Sequence, residues 1–416
     1  MTKQHNQHAP LIEKQYLVPF IMITILFFMW AFARTILDLL NKHFQETLHI
    51  SITQSTLIQV TTYLAYFLMA IPAGMFITRW GYRRGVVFGL LLFGLGSLAF
   101  IPGAAINTFV AFLIPLFIIG CGLTFLETAA NPYSTELGPR ETAASRLNLS
   151  QTFNGLGAAI APALVGGYLF SGGNVTLPYI IMGVLVLIFA IVFSFVKLPE
   201  IKHDSQDEET DNIQGNRFRM IWKHKIFIYG LIALLCYEIA EISINSYFIN
   251  FTTMEHVVDG VKVPGLMDPT TASWWLSGAL FIFMAGRFIG SIVMSFFKAE
   301  AVLLVCAVMC ALCMGTIFLG PGKMAIYALI ANYFFEAIMF PTIFSLALRG
   351  MGGLTKTASS ILMMTPVGGC FFLLVGYIAD AHMLLPFAIP FVGYIVILFF
   401  AYTVICRKGV ANITEK

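Results

Sequence analysis

A few charged side chains interrupt otherwise apolar stretches of the sequence, and they are the residues best placed to do chemistry. These residues are Arg34, Asp38, Glu127, Glu238, Glu241 and Glu336. An ionised group in hydrocarbon costs about 2.5–3.5 kcal/mol on insertion scales, so each one requires a partner or a function. Carboxyl groups that share one site shift each other's affinity for protons, so that a proton can bind and leave near neutral pH.

Arg34 and Asp38 are four residues apart, which places them one turn apart on the same face of a helix. They are either a structural ion pair or two members of a functional site. Glu127 has no oppositely charged residue on its own apolar stretch. If Glu127 faces the same cavity, one cation meets two carboxylates there. We therefore predict that Asp38, Glu127 or both carry a coupled proton.

Further polar residues follow helical spacing and suggest a solute site. Glu238 and Glu241 are three residues apart, and Asn245 and Ser246 follow one turn later, so they form a polar stripe on an apolar stretch. Hydrogen bonding between helices is the competing interpretation. Glu336 precedes Pro341 by five residues, and a capping or packing role is as good an explanation for it as a solute role.

Side-chain amides form a second candidate group for solute binding. Asn148, Gln151 and Asn154 recur every three residues, which places them on one side of a helix. Each amide presents both donors and acceptors, as recognition of a polyhydroxylated solute requires. Interhelical bonding is again the alternative. The complete set of predicted substrate-binding residues is Arg34, Asp38, Glu127, Asn131, Gln151, Asn154, Glu241 and Asn245.

The elements that must position these residues are membrane-spanning helices. Hydrophobic residues make up 58% of the 416, charged residues only 11%, and the mean hydropathy is +0.84. A soluble domain carries roughly a quarter of its residues charged, so the outer surface must face lipid. About 20 apolar residues cross a bilayer as a helix, and lipid excludes open strands.

Twelve such spans can be recognised, and they predict an all-α membrane protein. They cover residues 17–40, 55–78, 84–103, 107–132, 146–170, 177–197, 224–250, 272–297, 299–318, 324–347, 357–380 and 385–406. A polar linker at 198–223 separates a first six-helix bundle, 17–197, from a second, 224–406. Residues 1–16 and 407–416 are tails.

The two halves share traces of a duplication. Glu127 precedes Pro132 by five residues, as Glu336 precedes Pro341, and the offset between the two motifs is 209 residues. Gly-Tyr pairs near the ends of spans 5 and 11, and Gly81 with Gly290, have the same offset. A constant offset indicates a duplicated six-helix unit. Parallel repeats of this kind, with a solute site between them, are typical of major facilitator carriers.

The placement of positive charge predicts the orientation in the membrane. Lys42, Lys262 and Lys323 lie in loops on one side, and Arg34 lies within a helix. The other 20 of the 24 Lys and Arg residues lie on the opposite side. Because positive charge is retained in the cytoplasm, we predict that both termini are cytoplasmic.

One loop on the predicted cytoplasmic side is a candidate gate. Gly74, Arg79, Gly81 and Arg83 lie around the connection between spans 2 and 3, and Arg287 holds the matching place in the second half. Small residues allow helices to approach, and the arginines can meet helix ends or carboxylates. A purely topogenic role of these arginines is the alternative.

Several functional classes are excluded by missing motifs. The sequence contains no P-loop, no nucleophile elbow and no metal-ligand cluster, so we expect neither an ATP-driven pump nor an enzyme, and no cofactor. The seven cysteines lie in apolar runs, and Cys310 and Cys313 are interpreted as packing residues. The polar residues 1–16 show no cleavable signal, so the first span is retained.

Several strings resemble the fucose–proton symporter family of the major facilitator superfamily. These are Phe-Phe-Met-Trp-Ala at 27–31, Leu-Glu-Thr-Ala-Ala-Asn-Pro at 126–132, Arg-Leu-Asn-Leu-Ser-Gln-Thr-Phe-Asn at 146–154, and shorter matches at 71–74, 286–288 and 341–346. The resemblance implies uptake of a monosaccharide with a proton across a bacterial inner membrane. It also implies that Asp38 and Glu127 serve coupling and sugar binding, with Gln151 and Asn154 as the amides.

Two departures from that family bear on the solute. Residues 33–37 read Ala-Arg-Thr-Ile-Leu where members of the family have asparagines. The seventh span of the family usually carries at most one acidic or amide position, whereas Glu238 and Glu241 are both acidic here. The resemblance implies a neutral monosaccharide as cargo, such as fucose, galactose, glucose, or a deoxy or amino sugar. The alternative is a sugar acid or other organic anion with Arg34 as its counter-ion. The expected surroundings are membrane lipid, with no nucleic acid partner, and the expected state is a monomer.

Overall fold

The computed structural model describes residues 12–106, 108–138, 143–195, 220–258, 261–351, 354, 358 and 361–414. The predicted N-tail up to residue 11 and the linker up to residue 219 lie outside the described residues.

The described chain is almost entirely helical, in the order that the sequence predicts. The membrane helices are α1 Leu17–Leu48, α2 Leu57–Trp80, α3 Tyr82–Leu98, α4 Phe109–Glu136, α5 Ala143–Ala161, α6 Thr176–Phe195, α7 Lys225–Thr253, α8 Pro269–Phe296, α9 Ala299–Ile317, α10 Lys323–Glu336 with its continuation Met339–Leu348, α11 Phe372–Ala379 and α12 Ala388–Thr414. Eleven helical stretches are long and apolar enough to cross a membrane, and Thr365–Ala379 forms a shorter apolar helix. The twelve-helix fold is thereby confirmed.

The longest extensions beyond the predicted helix ends are those of α1 and α12. α1 continues to Leu48 rather than ending at residue 40, and α12 continues to Thr414 into the predicted tail. Hydropathy fails at these ends because it measures only the apolar stretch, whereas a helix continues wherever its residues tolerate helical geometry. The polar end of α1 is supported by a Lys42–Glu46 ion pair at 3.5 Å, one turn apart.

α10 is interrupted where Pro341 requires it. Proline has no N–H, so the carbonyl four residues earlier, that of Ala337, loses its helical partner. The helix breaks between Glu336 and Met339, and Arg287 of α8 donates from Nε to the Ala337 oxygen at 3.1 Å. An orphaned carbonyl in a membrane must find another donor. Arg287 supplies it while its guanidinium lies 4.7 Å from the Phe283 ring centroid.

This contact corrects the prediction that Arg287 belongs to a gating loop. Arg287 lies inside α8, well before that helix ends at Phe296.

We expect Arg287→Gln to lower the free energy of unfolding by about 1–3 kcal/mol, because it shortens the donor and leaves a buried carbonyl unpaired. Thermal unfolding of the purified protein in detergent measures the effect. The exposed Arg84→Gln is the matched control, and equal unfolding temperatures for both variants would contradict the assignment.

The predicted gating loop between α2 and α3 is a single residue. Gly74 and Arg79 lie within α2, Arg83 lies in the first turn of α3, and only Gly81 connects the two helices. Gly81 has a φ of 83°, a left-handed conformation that favours glycine, and it allows the chain to reverse abruptly. Gly290, its predicted counterpart, is an ordinary helical residue of α8, so these two glycines are not structurally equivalent.

A β-hairpin that the sequence analysis did not predict joins α7 to α8. Strand β1, His256–Val258, pairs antiparallel with β2, Val261–Val263. Three-residue strands are too short to give a periodicity signal. The hairpin is followed by Asp268, whose side chain accepts hydrogen bonds from the Thr271 N–H and hydroxyl and caps α8. These hydrogen bonds hold the pKa of Asp268, which lies outside the apolar span, below its usual value.

The two ends of the helical bundle can be distinguished by their residues. We call the end with His49–Ser51 and the β-hairpin the hairpin side, and the end with Arg79–Arg84 and Arg349 the arginine side. Among described residues, hydrogen bonds between the two halves lie on the hairpin side. There Asp380, after α11, accepts from the N–H groups of Ile52 and Thr53 at 2.9 and 3.1 Å and from the Thr53 hydroxyl.

Close helix packing accompanies these bonds. A Cβ on Gly166 of the α5 segment would collide with Ser273 of α8, and one on Gly376 would collide with Thr56. Ser277 of α8 also donates to the Ala159 carbonyl of α5. The first and second halves are therefore pressed together on the hairpin side, which closes that end of the bundle.

Candidate functional site

The charged residues predicted from the sequence converge at mid-bundle. Arg34 and Asp38 of α1 and Glu127 of α4 come from the first half, and Glu238 and Glu241 of α7 come from the second. We call these five residues the charge cluster. Arg34 interacts electrostatically with each of the four carboxyl groups. Glu241 interacts with Asp38 and Glu127 across the boundary between the halves.

The members of the charge cluster keep contact with solvent despite their positions in mid-helix. Arg34, Asp38, Glu127 and Glu241 are partly exposed, whereas Glu238 is 4% exposed. Ionisable groups in a membrane protein almost always face the bundle interior or a water-filled cavity. The arrangement therefore brings protonatable groups from both halves to one solvent-accessible region.

Arg34 and Asp38 do not form the ion pair that their spacing allows. No nitrogen of Arg34 lies within 4 Å of the Asp38 carboxylate in the described structure. Arg34 instead donates from Nε to the Tyr63 hydroxyl of α2 at 3.2 Å, with its guanidinium 5.8 Å from that ring centroid. Asp38 accepts a short hydrogen bond, 2.5 Å, from the Ser246 hydroxyl of α7.

Because these bonds engage only Nε, the Arg34 Nη groups have no hydrogen-bond partner among described residues. Each of the two residues is thus held by a neutral hydroxyl from another helix. Of the two interpretations that their spacing allowed, the geometry favours membership of a functional site over a structural ion pair.

Glu127 begins a chain of amide contacts that leads toward α5. Its main-chain carbonyl accepts from Asn131 Nδ2 at 3.2 Å, and the Asn131 Oδ1 accepts from Gln151 Nε2 at 3.4 Å. The Glu127 carboxylate makes no hydrogen bond to another described residue, although it acts electrostatically on Tyr66. Asn131 and Gln151 are therefore pre-positioned beside a carboxylate that remains available to a solute.

The remaining predicted binding residues have mixed environments. Asn154 donates from Nδ2 to the Phe27 carbonyl of α1 at 3.2 Å, as the interhelical alternative requires, and its Oδ1 makes no such contact. Asn245 Oδ1 is buried and has no hydrogen-bond partner in the described structure. Glu238 Oε2 is likewise buried and has no hydrogen-bond partner in the described structure. The side chain of Asn148 lies outside the described part.

Glu336 is held by hydrogen bonds of its own, although Glu241 of the charge cluster acts on it electrostatically. It is fully buried, and one carboxyl oxygen accepts from Asn332 Nδ2 at 2.7 Å and from the Tyr394 hydroxyl at 2.5 Å. Asn332 also donates to Tyr394 at 2.9 Å. Because α9, α10 and α12 meet around this group, the packing role left open by the sequence is the better supported one.

Three neutral residues hold the cluster in place, and the sequence did not identify them as partners of its charges. Tyr63 and Gln59 lie on α2, and Ser246 lies on α7 beside the predicted Asn245. Gln59 is buried and donates from Nε2 to the Ser246 hydroxyl at 3.2 Å and to the Leu37 carbonyl at 3.3 Å. A glutamine inside an apolar span was the available signal, but a neutral side chain stands out less than a charge.

Comparison with known proteins places this architecture in a family. The sequence model of the Major Facilitator Superfamily matches residues 22–373. The chain is 34% identical over 403 residues to the glucose/galactose transporter of Brucella abortus, with 93% of this chain and 94% of the relative covered. It is 33% identical over 418 residues to the L-fucose-proton symporter of Escherichia coli, with 94% and 93% covered.

A solved structure gives the same result. The crystal structure of FucP, the fucose:proton symporter of E. coli, in the outward conformation matches with a TM-score of 0.70 at 31% identity. The match covers 94% of this chain and 99% of that one. The chain therefore belongs to the Major Facilitator Superfamily, in the branch that contains L-fucose-proton symporters and glucose/galactose transporters.

Proposed function

We propose that this protein is a proton-coupled symporter that takes up a monosaccharide by alternating access. The observation that carries the proposal is the charge cluster, in which carboxyl groups from both halves share one solvent-accessible region. Its relatives are transporters rather than enzymes, and they are named for fucose, glucose and galactose. A carrier that rocks one half against the other exposes such a region to each side in turn.

The two predicted coupling residues have different roles in this proposal. Asp38 is hydrogen-bonded to α7 on the other side of the boundary between the halves, so its ionisation can influence how the halves meet. The Glu127 carboxylate has no hydrogen bond to another described residue and can accept from sugar hydroxyls. Crowding of four carboxyl groups around one arginine favours protonation of at least one of them. In this proposal the sugar binds near Glu127 and the proton binds at Asp38, within one site.

The amides supply the complementary donors for a sugar. Asn131 and Gln151 are already oriented beside Glu127, and the Asn245 Oδ1 has no hydrogen-bond partner among the described residues. Unpaired buried polar groups discriminate strongly, because a ligand that lacks the matching hydroxyl leaves them unsatisfied. We propose Arg34, Asp38, Glu127, Asn131, Gln151, Asn154, Glu241 and Asn245 as the lining of the solute site.

The arginine side is proposed to face the cytoplasm of a bacterial cell, with both termini inside and the protein working as a monomer in the inner membrane. The excess of lysine and arginine on that side supports this orientation. The structure is then closed toward the exterior, as expected of a carrier ready to exchange its cargo with the cytoplasm.

Asp380 stabilises this closed state and offers a direct test of it. Replacing Asp380 by Ala removes the acceptor for the Ile52 and Thr53 amides, so their hydrogen exchange is expected to accelerate about 10-fold or more. Hydrogen-exchange mass spectrometry of the segment around residues 51–57 measures this. Asp268→Ala is the matched control, since it removes a similar cap at α8. Unchanged exchange at Ile52 and Thr53 in Asp380→Ala would show that the contact does not hold this side closed.

One observation favours a second candidate function. The Arg34 Nη groups are unpaired among described residues, and a guanidinium fork binds carboxylate or phosphate bidentately. A sugar acid or another organic anion could therefore be the cargo, with Arg34 as counter-ion. Four carboxyl groups around Arg34 oppose the binding of an anion, which is why a neutral sugar is preferred here.

A ligand-stability screen separates these cargoes. The purified protein is heated with fucose, galactose, glucose, an amino sugar or a sugar acid at several pH values. A ligand at 100 times its dissociation constant stabilises the folded state by about 2.7 kcal/mol. Stabilisation by a neutral monosaccharide supports the proposal, and stabilisation by sugar acids alone would replace it with the second candidate.

A further inference from the structure

Three residues form a connected hydrogen-bond network across the boundary between the halves. Ser246 of α7 donates to Asp38 Oδ1 at 2.5 Å, and Gln59 of α2 donates to the Ser246 hydroxyl at 3.2 Å. Gln59 also binds the Leu37 carbonyl of α1. We call Asp38, Ser246 and Gln59 the inter-half latch. It lies on the hairpin side of Arg34, where the halves are closed.

The latch is built from buried, well-held donors. Gln59 and Ser246 are each 1% exposed, so neither side chain can exchange its partner for bulk water without the halves separating. Ser246 donates the short hydrogen bond to Asp38, and the side chain of Gln59 also interacts with that carboxyl group. The Ser246 oxygen accepts a hydrogen bond from Gln59, so the hydroxyl proton of Ser246 is directed to Asp38.

Other charged and titratable groups also act on Asp38. They are Arg34 on its own helix, Tyr63 on α2, Glu241 on α7 and Tyr333 on α10. None of them is hydrogen-bonded to Asp38 in the described structure. Direct contact through the latch is therefore the feature that links the charge of Asp38 to the position of α7.

A hydroxyl donates a much stronger hydrogen bond to a carboxylate than to a neutral carboxylic acid. The latch is consequently strongest when Asp38 is ionised, and it weakens when Asp38 is protonated. By linkage, closing the hairpin side must favour proton release from Asp38 to the same degree.

We propose that Ser246, oriented by Gln59, is a positioning residue that couples ionisation of Asp38 to closure of the hairpin side. The inference rests on the proposed function, because it assigns a gating role to the coupling proton. It explains how proton release can be confined to the state that opens to the arginine side.

The experiment measures sugar transport in proteoliposomes as a function of pH on the side where the proton is released. Net proton-driven influx requires Asp38 to lose its proton, whereas exchange of labelled for unlabelled sugar does not. In Ser246→Ala, Asp38 keeps its proton more tightly while the hairpin side is closed. The half-maximal pH of net influx is therefore expected to rise by about one unit. Exchange is expected to remain within about twofold of the unmodified protein.

Matched variants test the specificity of this shift. Ser243→Ala removes a buried hydroxyl of α7, one turn away, that makes no hydrogen bond in the described structure, and it is expected to leave the profile unchanged. Ser246→Thr keeps the hydroxyl and is expected to restore the profile. Should Ser246→Ala fail to fold, Ser246→Cys, with its weaker S–H donor, is expected to give a smaller shift in the same direction.

The outcomes separate the latch from the function on which it rests. Superimposable pH profiles for Ser246→Ala and the unmodified protein would overturn the latch, and so would an equal shift in Ser243→Ala. Absence of sugar accumulation by the unmodified protein would instead overturn the proposed function. A shift in Ser246→Ala that Ser246→Thr reverses supports the inference.

Discussion

Replacing Asp38 by Asn is expected to abolish proton-driven accumulation of sugar while exchange of sugar across the membrane continues. Asn has nearly the shape of a protonated Asp but cannot release a proton. A gradient of 100 mV supplies about 2.3 kcal/mol per charge, which sustains about 50-fold accumulation for one proton per sugar. We expect Asp38→Asn to reduce this ratio to about one. Uptake of labelled sugar into energised proteoliposomes measures it.

Glu127→Gln is expected to abolish accumulation as well, and it differs from Asp38→Asn in one respect. Because the Glu127 carboxylate has no hydrogen bond to a described residue, we expect the variant also to bind sugar more weakly, with a higher KM for exchange. Glu13→Gln, outside the membrane helices, is the control and should change neither quantity. Full accumulation in both Asp38→Asn and Glu127→Gln would refute their coupling role.

Arg34 substitution is expected to have the second-largest effect and to identify the class of cargo. For a neutral sugar, Arg34→Gln should change the dissociation constant of the sugar by less than about threefold. It should reduce accumulation about 10-fold or more at neutral pH, because the carboxyl groups lose the cation that favours their ionised form. For a sugar acid, the same change should weaken binding about 100-fold, since a charge-assisted bidentate pair is lost.

Arg34→Lys separates charge from geometry. It keeps the positive charge but lacks the planar fork, so it should recover accumulation of a neutral sugar better than Arg34→Gln does. It should not recover binding of an anion that requires two parallel hydrogen bonds. Binding is followed by ligand-induced changes in unfolding temperature. Retained anion binding in Arg34→Gln would contradict a counter-ion role for Arg34.

The fold was predictable because hydropathy identifies apolar stretches and lipid permits them little except helices. The details that failed depend on local backbone chemistry. The sequence analysis placed 324–347 in one continuous span, although Pro341 breaks it. The offset of 209 residues equated Gly81, which connects α2 and α3, with Gly290, which lies inside α8. Arg287, which was grouped with the gating residues, donates to the carbonyl that Pro341 frees. A repeat offset ignores insertions, which shift helix ends between the halves.

Of the residues in the candidate site, the charged ones could be predicted from the sequence. Arg34, Asp38, Glu127 and Glu241 were identified because each is expensive in hydrocarbon, and the structure brings them together. Tyr63, Gln59 and Ser246 were not identified as their partners, since neutral polar residues on separate helices give no spacing signal across α1, α2 and α7. The contact of Asp380 with Thr53 was likewise invisible, because a loop carboxylate is ordinary in any sequence. These contacts depend on how the halves meet.

The central claim is that sugar and proton cross together, and simultaneous measurement of both tests it most directly. Proteoliposomes without a membrane potential are given sugar, and the pH of a weakly buffered external medium is recorded together with uptake of labelled sugar. We predict that the medium becomes alkaline on addition of sugar, with about one proton per sugar, and that Asp38→Asn eliminates the signal. Sugar entry with no movement of protons would contradict coupled transport of sugar and proton.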